Sequence, residues 1–288
     1  MKRFSIVGAG RLGVSLGTAL ARKGWTPEAV VDRDARAARR GRRFIGGGRA
    51  STAPASVAGG RGTVIIAVPD GEVRHAASAL ARSGGSWAGR VVFHTSGILP
   101  AAALAPLARR GARVAALHPS QAFPRPDMPA SVFVGVTWGF EGDQDAVGTA
   151  RAIVRALRGH ILFLSAKDKA LYHAACALAS NALVALEWTA GNVLGKAGIT
   201  EDAAAAALAP LVQGTLHNVK TLGPAGALTG PILRGDLATV RKHLGALESE
   251  PEARAVYAAL GRQILRLAEK RGLAESRVRS LRRLLGGR

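Results

Sequence analysis

The sequence predicts an α/β fold: a Rossmann-type, mostly parallel sheet followed by an all-helical C-terminal domain. Short apolar runs alternate with helix-patterned stretches as far as Ser165, as in βαβ units. The first run leads straight into Gly8-Ala9-Gly10-Arg11-Leu12-Gly13, which opens a helix. Beyond Ser165 the strand pattern stops and long Ala- and Leu-rich stretches remain. A chain of 288 residues has room for about two domains. We place them at 1–165, dinucleotide-binding, and 166–288, for substrate and dimerisation.

Strands are expected at 4–7, 29–31, 63–68, 91–93, 114–117, 132–136 and 161–164. The stretch at 63–68 (TVIIAV) reads as buried on both faces, as in a parallel sheet. Helices are expected at 12–23 and 146–157. In the second domain they are expected at 166–194, 201–219, 237–247 and 252–271, with breaks at Gly223-Pro224 and Thr229-Gly230-Pro231. Asp236 is placed to cap the helix that starts at Leu237.

Composition narrows the function. At 48% apolar and 20% charged residues, the chain belongs with folded globular proteins. Its one cysteine, Cys176, rules out an internal disulfide and a cysteine-based zinc site, and no metal is expected. A reducing, cytoplasmic setting is the expectation. The start, Met1-Lys2-Arg3 and then an apolar run to Ala19-Leu20-Ala21, has the outline of a short leader. Arg11 interrupts that run, and the same residues form the glycine fingerprint, so we read them as part of the fold. No apolar stretch is expected to reach the ~20 residues that span a bilayer. The net charge of +21 raises nucleic acid as a partner. The arginines are spread along the chain, however, and the densest run, from Arg277 to Arg288, has no interleaved aromatics for base stacking. We read the charge as a solvated basic surface that attracts anionic ligands.

The glycine fingerprint carries the main chemistry. Gly8 permits the tight turn, Gly10 lets a pyrophosphate approach the backbone, and Gly13 lets helix and strand pack closely. Arg11 and Leu12 begin the helix, whose free N–H groups favour phosphate. Asp32, ending the next strand, suits a ribose 2′-hydroxyl and so NAD. Arg33, with Arg36 nearby, suits a 2′-phosphate and so NADP. Val68-Pro69-Asp70 ends the following strand and borders the cofactor. Two polar clusters end the next two strands, His94-Thr95-Ser96-Gly97 and His118-Pro119-Ser120-Gln121. Ligands bind at such strand ends in open α/β sheets. On the helix from Ala166, Lys169, His173, Cys176, Ser180 and Glu187 fall within about 40° of one line at 100° per residue. This stripe is read as lining a cleft, with Lys169 donating a proton and His173 assisting. Gly97, Asn181, Thr229 and Arg234 complete the candidate substrate set. Arg234 is suited to clamp a carboxylate.

The segments GAGRLG, AVPD, HTSG, LHPSQAF, DKALYHAACALASNALVAL and ALTGPILRGD occur in that order. Together they resemble a group of bacterial Rossmann-like proteins with a conserved C-terminal domain of unknown function. That group is assigned to NADP oxidoreductases of the deazaflavin-dependent type, within the 6-phosphogluconate dehydrogenase C-terminal-like clan. The clan includes β-hydroxyacid dehydrogenases, ketopantoate reductase, pyrroline-5-carboxylate reductase and prephenate dehydrogenase. The resemblance implies a helical second domain that forms a homodimer, and it tips the cofactor towards NADP. It puts Lys169 at the position of a catalytic lysine, and His173 where the clan often has asparagine. It further points to Ser96 as a substrate-binding serine and to His118 as the counterpart of a His-Pro segment in prephenate dehydrogenases. The expected function is hydride transfer between NAD(P) and a small anionic carbonyl, hydroxyl or imine compound. The alternatives are a prephenate-like dehydrogenase and a catalytically silent NADP-sensing protein.

Overall fold

The computed structural model describes residues 2–287. Met1 of the leader-like start and Arg288 of the basic tail lie outside them. The chain divides into two units, one ending at Ser180 and one beginning at Asn181.

In the first unit, eight strands among the described residues form one sheet in the order β3-β2-β1-β4-β5-β6-β7-β8. They are β1 (Arg3–Val7), β2 (Thr26–Val31), β3 (Arg49–Ser51), β4 (Thr63–Ile66), β5 (Val91–His94), β6 (Arg113–Pro119), β7 (Thr137–Gly142) and β8 (His160–Phe163). All neighbours run parallel except β6 and β7. The helices are α1 (Arg11–Arg22), α2 (Ala35–Ile45), α3 (Ala55–Ala58), α4 (Val73–Arg82), α5 (Ala105–Ala108), α6 (Val147–Ala156) and α7 (Lys169–Ala179).

Successive strand residues point to opposite faces, so each central strand feeds two cores. Ile6, Val30, Ile65, Phe93 and Leu117 enter one, with Val14 and Leu16 of α1 and Ile153 of α6. Val7, Val31, Ile66, Val92 and Val114 enter the other, with Leu80 of α4 and Trp87. This two-sided burial explains why these strands read as continuous apolar runs.

Two strand expectations change. The strand expected at 132–136 is instead a 3-10 turn, Ala130–Phe133, whose end is closed by a Val136 N–H bond back to the Phe133 carbonyl. Pro129 and the positive φ of Gly135 (76°) keep that stretch out of the sheet, and pairing begins only at Thr137. The edge strand β3 has too little apolar character to announce itself.

The regular elements among the second unit's described residues are all helices: α8 (Asn181–Lys196), α9 (Glu201–Ala227), α10 (Leu237–Ala246), α11 (Pro251–Lys270) and α12 (Glu275–Leu284). Asp236 caps α10 as expected, accepting from the Thr239 N–H at 3.0 Å. Gly223, at φ 70° before Pro224, breaks α9. The core gathers Ile232, Val240, Leu244, Leu265, Val278, Leu281 and Leu285. Three of these come from the basic tail, where α12 and the residue after it turn an apolar edge inward.

The helix expected at 166–194 is two helices, broken at Ser180 (φ −121°, ψ −71°). The division between units falls at that break rather than at Ser165, because α7 stays with the sheet. The expectation that no apolar stretch reaches bilayer length is not met. The 31-residue segment Ala166–Lys196 is long and apolar enough, by those two criteria alone, to cross a membrane.

Candidate functional site

The glycine turn has the expected geometry. Gly8 has φ 100°, and a Cβ there would lie 2.5 Å from the Ala67 carbonyl oxygen and 2.9 Å from Val68 Cγ1. A Cβ on Gly13 would lie 2.1 Å from the Gly8 carbonyl oxygen, so strand and helix touch at this point. Gly10 differs. Its φ of −80° is open to any residue, and nothing lies within 4 Å of its absent Cβ. The chain's own packing therefore gives no reason for glycine at position 10, whereas a ligand lying against the backbone would. No side chain caps α1, so its first N–H groups lack intrahelical acceptors and suit a phosphate. Arg11 is exposed and Leu12 half-buried beside this end.

Asp32 braces the turn. Its Oδ2 accepts from the Ala9 N–H at 2.7 Å and its Oδ1 from the Asp34 N–H at 2.9 Å. Arg33 and Arg36 are exposed just beyond, and Pro69 is exposed after β4.

A second cluster stands on the same sheet edge, since β1, β4, β5 and β6 are adjacent and parallel. After β5, the Ser96 N–H donates to His94 Nδ1 at 3.2 Å, leaving Nε2–H to donate to the Pro100 carbonyl at 3.2 Å. This pair of bonds fixes one neutral tautomer. Burial, and then the charge of Lys169, lowers the His94 pKa to about 4. The locked loop presents the Ser96 carbonyl to Lys169 Nζ at 3.3 Å, while Ser96 Oγ accepts from the Leu99 N–H at 3.0 Å. Lys169 is fully buried. Among the described residues it forms no ion pair. Burial pushes its pKa below the usual lysine value, opposed by the more distant charges of Glu141 and Asp70.

On the other side of the cluster, His118 Nδ1 lies 2.9 Å from the Tyr172 hydroxyl, which lies 2.6 Å from Ser120 Oγ. Cys176 Sγ donates weakly to that serine at 3.8 Å. Burial, followed by the charges of His173 and Lys169, lowers the His118 pKa to about 4. Burial raises the Tyr172 pKa, so the phenol keeps its proton. His173 meets His118 edge to face at 5.7 Å, and its buried Nδ1 has no partner among the described residues. Gly97 closes the gap: a Cβ there would lie 2.5 Å from His173 Nδ1 and 3.0 Å from His118 Nε2.

Helix α7 supplies much of this. Lys169, Tyr172, His173 and Cys176 stand at i, i+3, i+4 and i+7, one face of a helix. That polar face turns in, while Leu171 and Leu178 are 74% and 72% exposed. The stripe thus faces the site, but Ser180 ends the helix and Glu187 belongs to α8, so neither extends it. Lys169 and His173 share the face, yet Lys169 bonds to Ser96 rather than to His173. The first unit brings together Ser96, Gly97, His118, Lys169 and His173. Asn181, Thr229 and Arg234 lie in the second unit, all three exposed. Sequence reasoning passed over Tyr172, which looks like a core aromatic in an Ala- and Leu-rich helix. Its spacing three residues after Lys169 was the available signal.

Residues 2–119 match the Rossmann-like domain family, and residues 136–264 match a domain of unknown function, DUF2520. No curated protein matches the chain. Among solved structures, a Bacteroides fragilis protein provisionally named an NADP oxidoreductase is similar at TM-score 0.74 and 22% identity, covering 91% of this chain and 97% of its own. A Thermotoga maritima protein is similar at TM-score 0.73 and 23% identity, covering 93% and 99%. An imine reductase from Myxococcus stipitatus, solved with NADP+, is similar at TM-score 0.65 and 18% identity, covering 98% and 99%. At these identities the likenesses establish the fold.

Proposed function

We propose, starting from a chain that pairs a Rossmann-like domain with the DUF2520 domain, that this protein is an NADP-dependent oxidoreductase acting on a small anionic carbonyl, hydroxyl or imine compound. The observation that carries the reading is one sheet edge with two features. An open glycine turn at an uncapped helix end stands in line with a buried, unpaired ammonium among imidazoles. A bound reduced nicotinamide would supply the hydride, becoming oxidised as the substrate carbon is reduced. Gly8, Gly10, Gly13 and the first N–H groups of α1 cradle the pyrophosphate. Arg33 pairs with a 2′-phosphate. The two backbone bonds already held by Asp32 leave it less free to select a ribose hydroxyl, which supports NADP over NAD. Lys169 stabilises negative charge on a substrate oxygen or carboxylate, with Ser96, His118 and His173 around it. The names of several solved neighbours point the same way, because they were solved with NADPH or NADP+. The exposed apolar side chains of α8 and α9 support a homodimer.

Fluorescence titration with NADPH and NADH tests the cofactor assignment. Gly10→Val fills the open space and abolishes binding of both. Arg33→Ala weakens NADPH by about tenfold or more, the worth of one charge-assisted contact, and spares NADH. Unchanged affinity in Gly10→Val would overturn the reading. A metabolite-pool screen that follows NADPH absorbance then identifies the substrate, and a prephenate-like compound among the hits would select that alternative.

A further inference from the structure

We infer that His118, Tyr172 and Ser120 form a proton relay from the strand-end cluster to solvent, with His118 as the group that exchanges a proton with substrate. The inference rests on the oxidoreductase reading above and deepens it, since it moves the proton-transfer role from Lys169 to His118.

The geometry is a continuous chain. His118 Nδ1 to the Tyr172 oxygen is 2.9 Å and the Tyr172 oxygen to Ser120 Oγ is 2.6 Å, both hydrogen-bonding distances. Its inner end is partly buried, and its outer end, Ser120, is exposed. On the far side of the imidazole, Nε2 lies against Gly97, beside the buried Nδ1 of His173, which has no partner among the described residues. A side chain at position 97 would occupy the space that Nε2 faces. Gly139 makes room for the phenol, since a Cβ there would lie 2.9 Å from the Tyr172 oxygen.

Each link can donate or accept, so the chain has two arrangements. In the first, Ser120 donates to Tyr172, Tyr172 donates to His118 Nδ1, and Nε2 carries a proton. In the second, Nδ1–H donates to Tyr172, Tyr172 donates to Ser120, and Nε2 offers a lone pair. A substrate alkoxide takes the Nε2 proton, the Tyr172 proton moves to Nδ1, the Ser120 proton moves to Tyr172, and water reprotonates Ser120. One proton enters from solvent and one leaves to substrate. The imidazole stays neutral throughout, as its surroundings require, because burial first and then the nearby Lys169 charge disfavour imidazolium. Lys169 cannot serve in this way. Its ammonium is enclosed and bonded to Ser96, with no hydrogen-bonded path outward among the described residues.

The tautomer of His118 is the direct readout and needs neither cofactor nor substrate. Nitrogen-15 NMR of the full-length protein at pH 7 resolves it, with His118 picked out from the seven histidines by comparison with His118→Gln. The relay requires intermediate shifts at both ring nitrogens in the wild type, reporting exchange between the two tautomers. Tyr172→Phe removes the partner of Nδ1, and Ser120→Ala removes the outer acceptor, leaving the Tyr172 hydroxyl with Nδ1 and the weaker Cys176 sulfur. Each should shift His118 to the single Nε2–H form. One unchanging tautomer across the wild type and both variants would overturn the relay. NADPH titration of the same wild-type sample separately reports on the oxidoreductase reading, so the two can fail independently.

Discussion

Lys169 is a charge held where its surroundings do little to compensate it. Among the described residues it makes one hydrogen bond, to a backbone carbonyl, and it is completely enclosed. A buried ion without a partner costs stability, so Lys169→Met, of similar length and apolar, should stabilise the fold by roughly 1–3 kcal/mol in urea denaturation. The same change removes the charge that stabilises a substrate oxygen and should lower kcat about 100-fold once a substrate is known, with NADPH affinity kept. A destabilised Lys169→Met protein would mean that the ammonium is structural. His118 gives a pH prediction. Its folded pKa is about 4, below its ordinary 6.5, so the unfolded chain binds more protons between those values. Stability from this group is full above about pH 6.5 and is lost as pH falls towards 4. The 2.5-unit depression sets an upper bound of about 3 kcal/mol. Carboxylates titrate in the same range, so the measurement is a difference: His118→Gln should show a shallower loss of stability between pH 7 and 4.5 than the wild type. At this scale the sequence located Lys169, His118, Ser96 and His173 as polar groups that the fold gathers, because strand ends and helical spacing mark such positions. It hid Tyr172, whose role comes from a hydroxyl meeting residues more than fifty positions earlier.

Helix α7 reverses the usual arrangement, with its polar edge inside and leucines outside. The stripe was legible, and its direction was not, since periodicity gives an angle about the axis but no neighbour. The break at Ser180 was likewise hidden, because no glycine or proline marks it. Helix α12 was obscured by its arginines, although Val278, Leu281 and Leu285 keep an apolar edge at helical spacing. The strands of the central sheet were the most legible elements, being buried on both faces. A testable strain sits at the end of α6. Arg158 has φ 59°, the only non-glycine with positive φ among the described residues. It follows the C-cap, Leu157, where glycine is usually found. Arg158→Gly should relieve the side-chain strain and gain about 0.5–1 kcal/mol net of the unfolded-state entropy. Thermal unfolding should show a raised Tm, and an unchanged or lower Tm would show that the guanidinium does more than bear that strain.

Across the chain as a whole, buried apolar surface is distributed unevenly. The sheet unit fills two cores, and the second unit fills one among α10, α11, α12 and the turn before α10. Helices α8 and α9 are different, for α8 has no buried residue and α9 has only Ala204. Trp188, Val184, Leu211 and Leu222 are each more than 60% exposed. Folded monomers rarely leave contiguous apolar patches larger than a few hundred Å2, and burial is worth roughly 25 cal/mol per Å2. The unbroken part of α9, residues 201–222, is about 33 Å long at 1.5 Å per residue and offers enough length for an extensive interface with a second copy. The two-fold arrangement common among homo-oligomers would pair the same surface on both copies. Light scattering at micromolar concentration should therefore give twice the monomer mass. Trp188→Asp combined with Leu211→Asp places charge on that surface and should shift the protein to monomer, with its helical circular dichroism retained. The tryptophan emission offers a second reading, since dilution of the wild type through the dissociation range should red-shift it as Trp188 meets water. A wild-type protein that remains monomeric at micromolar concentration would refute the dimer.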